Sequence, residues 1–125
     1  MSKFLTPLDV TLLNDSEHDG RGTWRVDSPL IYSSDVAMRS IRVPPGFVTD
    51  FASVPRIPVA FFLTADCAHE AAVVHDYLYT YGTLSRAMAD SVLLEAMAVS
   101  GIPAWRRRLI YWGVRLGGAS HFKGA

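Results

Sequence analysis

The chain has 125 residues, half of them hydrophobic, with 12 basic and 12 acidic residues and a formal net charge of zero. That size supports one domain, 1–125, with a real core and little room for a second. The even balance excludes whole-molecule attraction to nucleic acid, and neither a nucleic-acid-binding signature nor a glycine-rich phosphate loop is present, so no nucleic-acid partner is expected.

The charge is unevenly placed. From Gly101 to Ala125 the chain carries Arg106, Arg107, Arg108, Arg115 and Lys123 and no acid. The single cysteine, Cys67, rules out an intramolecular disulfide, and its apolar neighbours favour a small buried thiol over a nucleophile. No apolar run approaches the roughly 20 residues that span a bilayer. The start, Met1-Ser2-Lys3-Phe4-Leu5, meets Pro7 and Asp9 rather than a signal-peptide core, which predicts synthesis in a cytoplasm.

The first half of the chain signals strands. Asp9 to Leu13, Thr23 to Val26, Leu30 to Tyr32 and Ser40 to Val43 are β-rich runs, parted by turn clusters at Asn14-Asp15-Ser16 and Asp19-Gly20-Arg21-Gly22. A small, mostly antiparallel sheet is expected. Pro44-Pro45-Gly46 then turns the chain into an extended segment, Phe47 to Arg56, at the sheet edge, where Pro55 and Pro58 bar a helix. Beyond Pro58 the period changes. Thr64 or Asp66 caps a helix that runs to Tyr81 and ends at Gly82. Ser85 or Thr83 caps a second, which ends at Ser100-Gly101 and shows an apolar face of Leu84, Met88, Val92, Leu93, Ala96 and Met97; Pro103 opens a third at its first turn. The fold class is α+β: an N-terminal small antiparallel β-sheet followed by three α-helices.

The chemistry concentrates in His75-Asp76-Tyr77-Leu78-Tyr79 and in Ala89-Asp90 on the next helix. An apolar lead-in, Ala71 to Val74, places the His-Asp pair on a buried helix, where an imidazole and a carboxylate are costly unless partnered or useful. His75 and Tyr79, at i and i+4, share a face, while Asp76 is rotated by about 100° toward a neighbouring cleft. Two antiparallel helices joined at Gly82 to Leu84 bring Asp90 alongside. The expected arrangement has Asp90 meeting Nδ1 of His75, Tyr79 donating to the same carboxylate, His75 as general base, and Asp76 placed for a cation or a substrate. The competing reading is a buried network that only joins two helices, with Arg86 pairing Asp90 at i+4.

His75-Asp76-x-x-Tyr79 with a later helix-borne Asp90 resembles the core of phospholipase A2 enzymes, particularly the compact disulfide-free version of parvovirus capsid proteins. The resemblance spans roughly Asp66 to Leu94. It implies that His75 activates water, Asp76 ligates calcium, and Tyr79 and Asp90 orient the histidine. The glycine-rich calcium loop of those enzymes is absent before this helix, so a divalent cation there requires Thr49-Asp50 or nearby carbonyls, with Asp76 and Asp50 as metal candidates. A longer motif, Val43-Pro44-Pro45-Gly46-Phe47-Val48-Thr49-Asp50-Phe51-Ala52-Ser53-Val54-Pro55-Arg56, followed by the His75-Asp76 helix, is similar to the bacteriophage and prophage family known as domain of unknown function 1353. That resemblance implies a phage-derived protein without an assigned reaction.

Three further features have plainer readings. Ser53 lacks a Gly-x-Ser-x-Gly turn and is read as structural. His69-Glu70 suggests zinc, but His69 and His75 are six residues apart and lie on different helix faces. Trp105, Leu109, Trp112 and Leu116 form a stripe at i, i+4, i+7 and i+11, expected to pack on the sheet with the arginines in water; the alternative is a helix lying on an anionic membrane. The functional expectation is a phage-encoded small hydrolase of cell-envelope material, with His75, Asp90 and Tyr79 as its catalytic set and membrane lipid or envelope substrate as partner. The alternative is a non-enzymatic virion component of tail, baseplate or capsid, bound to other phage structural proteins. In either case the expectation is synthesis in the host cytoplasm without a signal peptide, with incorporation in the virion under the second reading.

Overall fold

The computed structural model describes residues 1–14, 23–49, 68–82, 84–117, 119 and 122. Its elements are β1 (Lys3–Phe4), β2 (Val10–Asn14), β3 (Thr23–Val26), β4 (Leu30–Ser34), β5 (Arg39–Val43), β6 (Val48–Thr49), α1 (Ala68–Tyr81), α2 (Arg86–Val99) and α3 (Ala104–Gly117). Strands precede helices, as an α+β chain requires. They form two three-stranded antiparallel sheets rather than one, in the orders β1-β4-β5 and β2-β3-β6. The division falls at Asp27 to Pro29, where the Asp27 N–H turns to the Asp9 carbonyl at 2.8 Å and Pro29 has no N–H to give a ladder.

Period-two alternation decides what the sheets bury. On β4, Leu30, Tyr32 and Ser34 face inward, and on β5 Ile41 and Val43 do the same. These side chains meet Val26 and Phe47 on one side and the helices on the other in a single core. Pro44 to Phe47 is a tight turn with Pro45 second and Gly46 third, at φ 93°, closed by the Phe47 N–H on the Pro44 carbonyl at 3.3 Å. It delivers Val48–Thr49 to the edge of the second sheet opposite Trp24 and Arg25. The expected edge segment, Phe47 to Arg56, is therefore a strand at its second and third residues, Val48 and Thr49; from Asp50 on it lies outside the described residues.

Helix ends follow local chemistry. The candidate caps Thr64 and Asp66 lie outside the described residues, and α1 stops at Gly82, whose N–H reaches the Leu78 carbonyl at 3.0 Å. Ser85 caps α2: its hydroxyl accepts the Met88 N–H at 3.1 Å. At the other end Gly101 adopts φ 84°, its N–H bonding the Ala98 carbonyl and the Ile102 N–H bonding that of Met97, the paired closure of a Schellman motif. Pro103 stands one place outside α3, where its carbonyl accepts the N–H groups of Arg106 and Arg107, so it caps the helix rather than forming its first turn.

The third helix overturns one expectation. Trp105, Leu109, Trp112 and Leu116 face outward, while Ile110 and Val114 are the buried residues of α3. Two polar anchors fix this roll: Arg86 of α2 donates Nη2 to the carbonyls of Val114 and Arg115 at 2.8 and 2.7 Å, and the Arg115 side chain reaches in to buried Asp90 at 2.7 Å. A second polar tie joins α2 to the first sheet. Glu95 accepts the hydroxyls of Tyr32 and Ser34 on Oε1, both at 2.8 Å, and the Val36 N–H on Oε2 at 2.9 Å. Burial alone would push the Glu95 carboxyl up, but these donors outweigh it and hold it below its ordinary range.

Candidate functional site

The helix that carries the His-Asp pair is buried on nearly every side. Ala71 to Asp76 are all buried, as are Leu78 and Tyr79, because small and β-branched residues let α2 and both sheets approach α1 closely. α2 runs back beside α1 and brings Asp90 opposite His75 and Tyr79. His75 Nε2 lies 2.7 Å from Asp90 Oδ1, and the Tyr79 hydroxyl donates to the same oxygen at 2.5 Å. The ring planes of His75 and Tyr79 are tilted against each other with centroids 4.2 Å apart. His75, Tyr79 and Asp90 all have 0 % exposure.

The nitrogen that meets Asp90 is Nε2, not the expected Nδ1. On a helix His75 is rooted in α1 and reaches across to α2 with the far end of its ring, and Nε2 is the far nitrogen. The cation that pairs Asp90 is also different. Arg115 of α3 donates Nη1 to Asp90 Oδ2 at 2.7 Å, whereas Arg86 is engaged with the last carbonyls of α3. Each oxygen of Asp90 is thus filled, and one carboxylate gathers side chains from all three helices.

Electrostatics fixes the protonation states. Burial pushes the Asp90 carboxyl up, but hydrogen bonds from His75, Tyr79 and Arg115 outweigh that and hold it below its ordinary 3.8. An ionised carboxylate only accepts, so Nε2 carries the hydrogen. Burial drives the His75 imidazole below its ordinary 6.5 despite the pull of Asp90, which leaves it neutral at pH 7 with its lone pair on Nδ1. Burial and the Asp90 charge both raise the Tyr79 phenol, which remains a donor. The neutral imidazole is thus held by a carboxylate in a place with no exposure to solvent.

Asp76 faces away from this network. It is 8 % exposed, and its Oδ2 accepts the hydroxyl of buried Thr49 at 2.6 Å, which links α1 to β6. Its backbone carbonyl receives the Thr80 hydroxyl at 2.9 Å. Asp50, the second metal candidate, lies outside the described residues, as do Ser53, Pro55, Arg56 and Cys67. Among the described residues no group of three or more His, Cys, Asp or Glu side chains could hold a metal. The described donors alone fall short of the six or more oxygens that calcium takes.

Beside the Asp76 end of α1, Phe47, Tyr77 and Tyr81 form an aromatic cluster, with Phe47 edge-on to Tyr77 at 5.4 Å and to Tyr81 at 6.1 Å. The cluster lines an open cleft of about 640 Å³ together with Pro44, Pro45, Gly46, Val48 and Thr80. Sequence reasoning missed Arg115, Glu95 and this cleft. Only a basic residue late in an acid-free tail hinted at the first.

Among the described residues no helix is long and apolar enough to cross a membrane. Compared with known families, residues 24–114 match the one described as protein of unknown function (DUF1353). No curated protein and no solved structure matches the chain.

Proposed function

The chain belongs to the DUF1353 family, and from that premise we propose that it is a small phage-type hydrolase acting on lipid esters of the cell envelope, with His75 as the base that activates water. The observation that carries this reading is the single oxygen of Asp90 shared by His75 Nε2 at 2.7 Å and the Tyr79 hydroxyl at 2.5 Å. That pairing fixes the tautomer with the hydrogen on Nε2, while burial, against the pull of Asp90, keeps the imidazole neutral near pH 7. Asp90 also stabilises the imidazolium formed when water gives up its proton, while Tyr79 and Arg115 keep Asp90 ionised. The lipid-ester class is supported by the spacing His75-Asp76-x-x-Tyr79 ahead of Asp90, which resembles phospholipase A2 enzymes. Asp76 and Asp50 are the residues that would hold calcium if hydrolysis depends on it.

A second reading is favoured by the complete enclosure of His75. In a non-enzymatic virion component the same network would be a brace between helices. The deciding assay measures fatty acid released from phosphatidylglycerol vesicles, with calcium and with a chelator, by the purified protein and by His75→Gln. The hydrolase reading expects release that falls at least about a hundredfold in the variant while the protein stays folded. No release by the unaltered protein, together with a His75→Gln variant that only melts earlier, establishes the brace.

A further inference from the structure

Four large apolar side chains on α3 have no role in the core. Trp105, Leu109, Trp112 and Leu116 are 55, 50, 60 and 85 % exposed. Their spacing of four, three and four residues aligns them in one stripe along the helix. Single exposed apolar residues are ordinary, whereas a continuous stripe of this kind marks a surface that something covers. The helix cannot roll the stripe inward, because Arg115 is held by Asp90 and the carbonyls of Val114 and Arg115 are held by Arg86.

We propose that this face of α3 lies on an anionic phospholipid surface. The two tryptophans and two leucines would occupy the interfacial layer, where an amphipathic indole is at home, and the arginines beside them would meet lipid phosphates. Arg108 is exposed next to the stripe, and the Arg106 guanidinium lies 5.3 Å over the Trp105 ring at its other edge. Charge selects a lipid surface over a second copy of the chain. Arg106 and Arg108 border the stripe and residues 101–125 contain no acid, so two such faces brought together would set these cations against each other with no carboxylate between them. An anionic bilayer supplies the missing partner charge. The docking requires no hydrolysis and stands apart from the function proposed above.

The test uses vesicles of non-hydrolysable ether-linked lipids, one set of phosphatidylcholine alone and one with a quarter phosphatidylglycerol, so that loss of catalysis leaves the result unchanged. Co-sedimentation should show at least about tenfold tighter partition to the anionic set, accompanied by a blue shift of tryptophan emission. The double variant Trp112→Ser with Leu116→Ser should bind at least about tenfold more weakly at an unchanged melting temperature. Arg108→Glu should reduce the preference for the anionic set. The proposal is overturned if the protein stays in the supernatant with both sets, if the double variant binds as well as the parent, or if sedimentation reveals a dimer that the double variant dissolves.

Discussion

Asp90 keeps its charge at zero exposure only because three donors fill its two oxygens. Removing the Tyr79 hydroxyl leaves two of them, so Tyr79→Phe is expected to cost about 1–3 kcal/mol of stability in urea unfolding. Arg115→Met removes the cation and should cost more; equal losses would mean that Arg115 contributes no more than a neutral donor. The pH dependence has a definite sign. The folded His75 value lies below 6.5, so the unfolded chain takes up that proton first; the associated stability is complete above about 6.5 and declines as pH falls. The lowered Asp90 carboxyl adds a second decline that begins below 3.8. Urea midpoints measured from about pH 8 to pH 3.5 should therefore stay level, then fall below about 6.5, and His75→Gln should lessen that decline. A parent protein with a level profile across that interval would contradict the buried neutral imidazole.

Among the elements, two glycines end helices for different reasons. Gly101 sits at φ 84° with open space where a Cβ would be, so Gly101→Ala costs only the left-handed conformation, about 1–2 kcal/mol. Gly82 does not have a positive φ, but a Cβ there would press into the backbone of Leu78, which no rotamer change relieves. Thermal melts should accordingly rank Gly82→Ala below Gly101→Ala. The reverse order would show that the α1 terminus yields easily. Such ends were readable in the sequence: Ser85, Gly82, Ser100-Gly101 and Pro103 announce α2 and its neighbours because capping is local chemistry. What α3 buries was not readable. Its 3.6-residue period reveals a stripe at Trp105, Leu109, Trp112 and Leu116, but the choice between that stripe and the smaller Ile110–Val114 face is made by Arg86 and Arg115 across α2, at sequence separations of 25 to 29 residues. The same limit applies to the site. Helical spacing brought His75, Tyr79 and Asp90 together, whereas which ring nitrogen faces Asp90 depends on the distance between two helix axes.

At the scale of the whole molecule, α1 and α2 share one core with the sheets, and polar ties among the described residues join them: Thr49 to Asp76, and Tyr32 and Ser34 to Glu95. β1 is two residues long, and Leu12 and Leu13 of β2 are exposed. Amide hydrogen exchange should be slowest in α1 and α2 and fastest in β1 and β2. Protection of β2 equal to that of α1 would contradict this ordering. The convergence of α1, α2 and α3 on Asp90 also bears on how the molecule comes apart. No one of these helices can leave without stripping a donor or the acceptor from a charge sealed away from solvent, so the three should dissolve in a single step, with indole signals from α3 and backbone ellipticity tracing one superimposable curve.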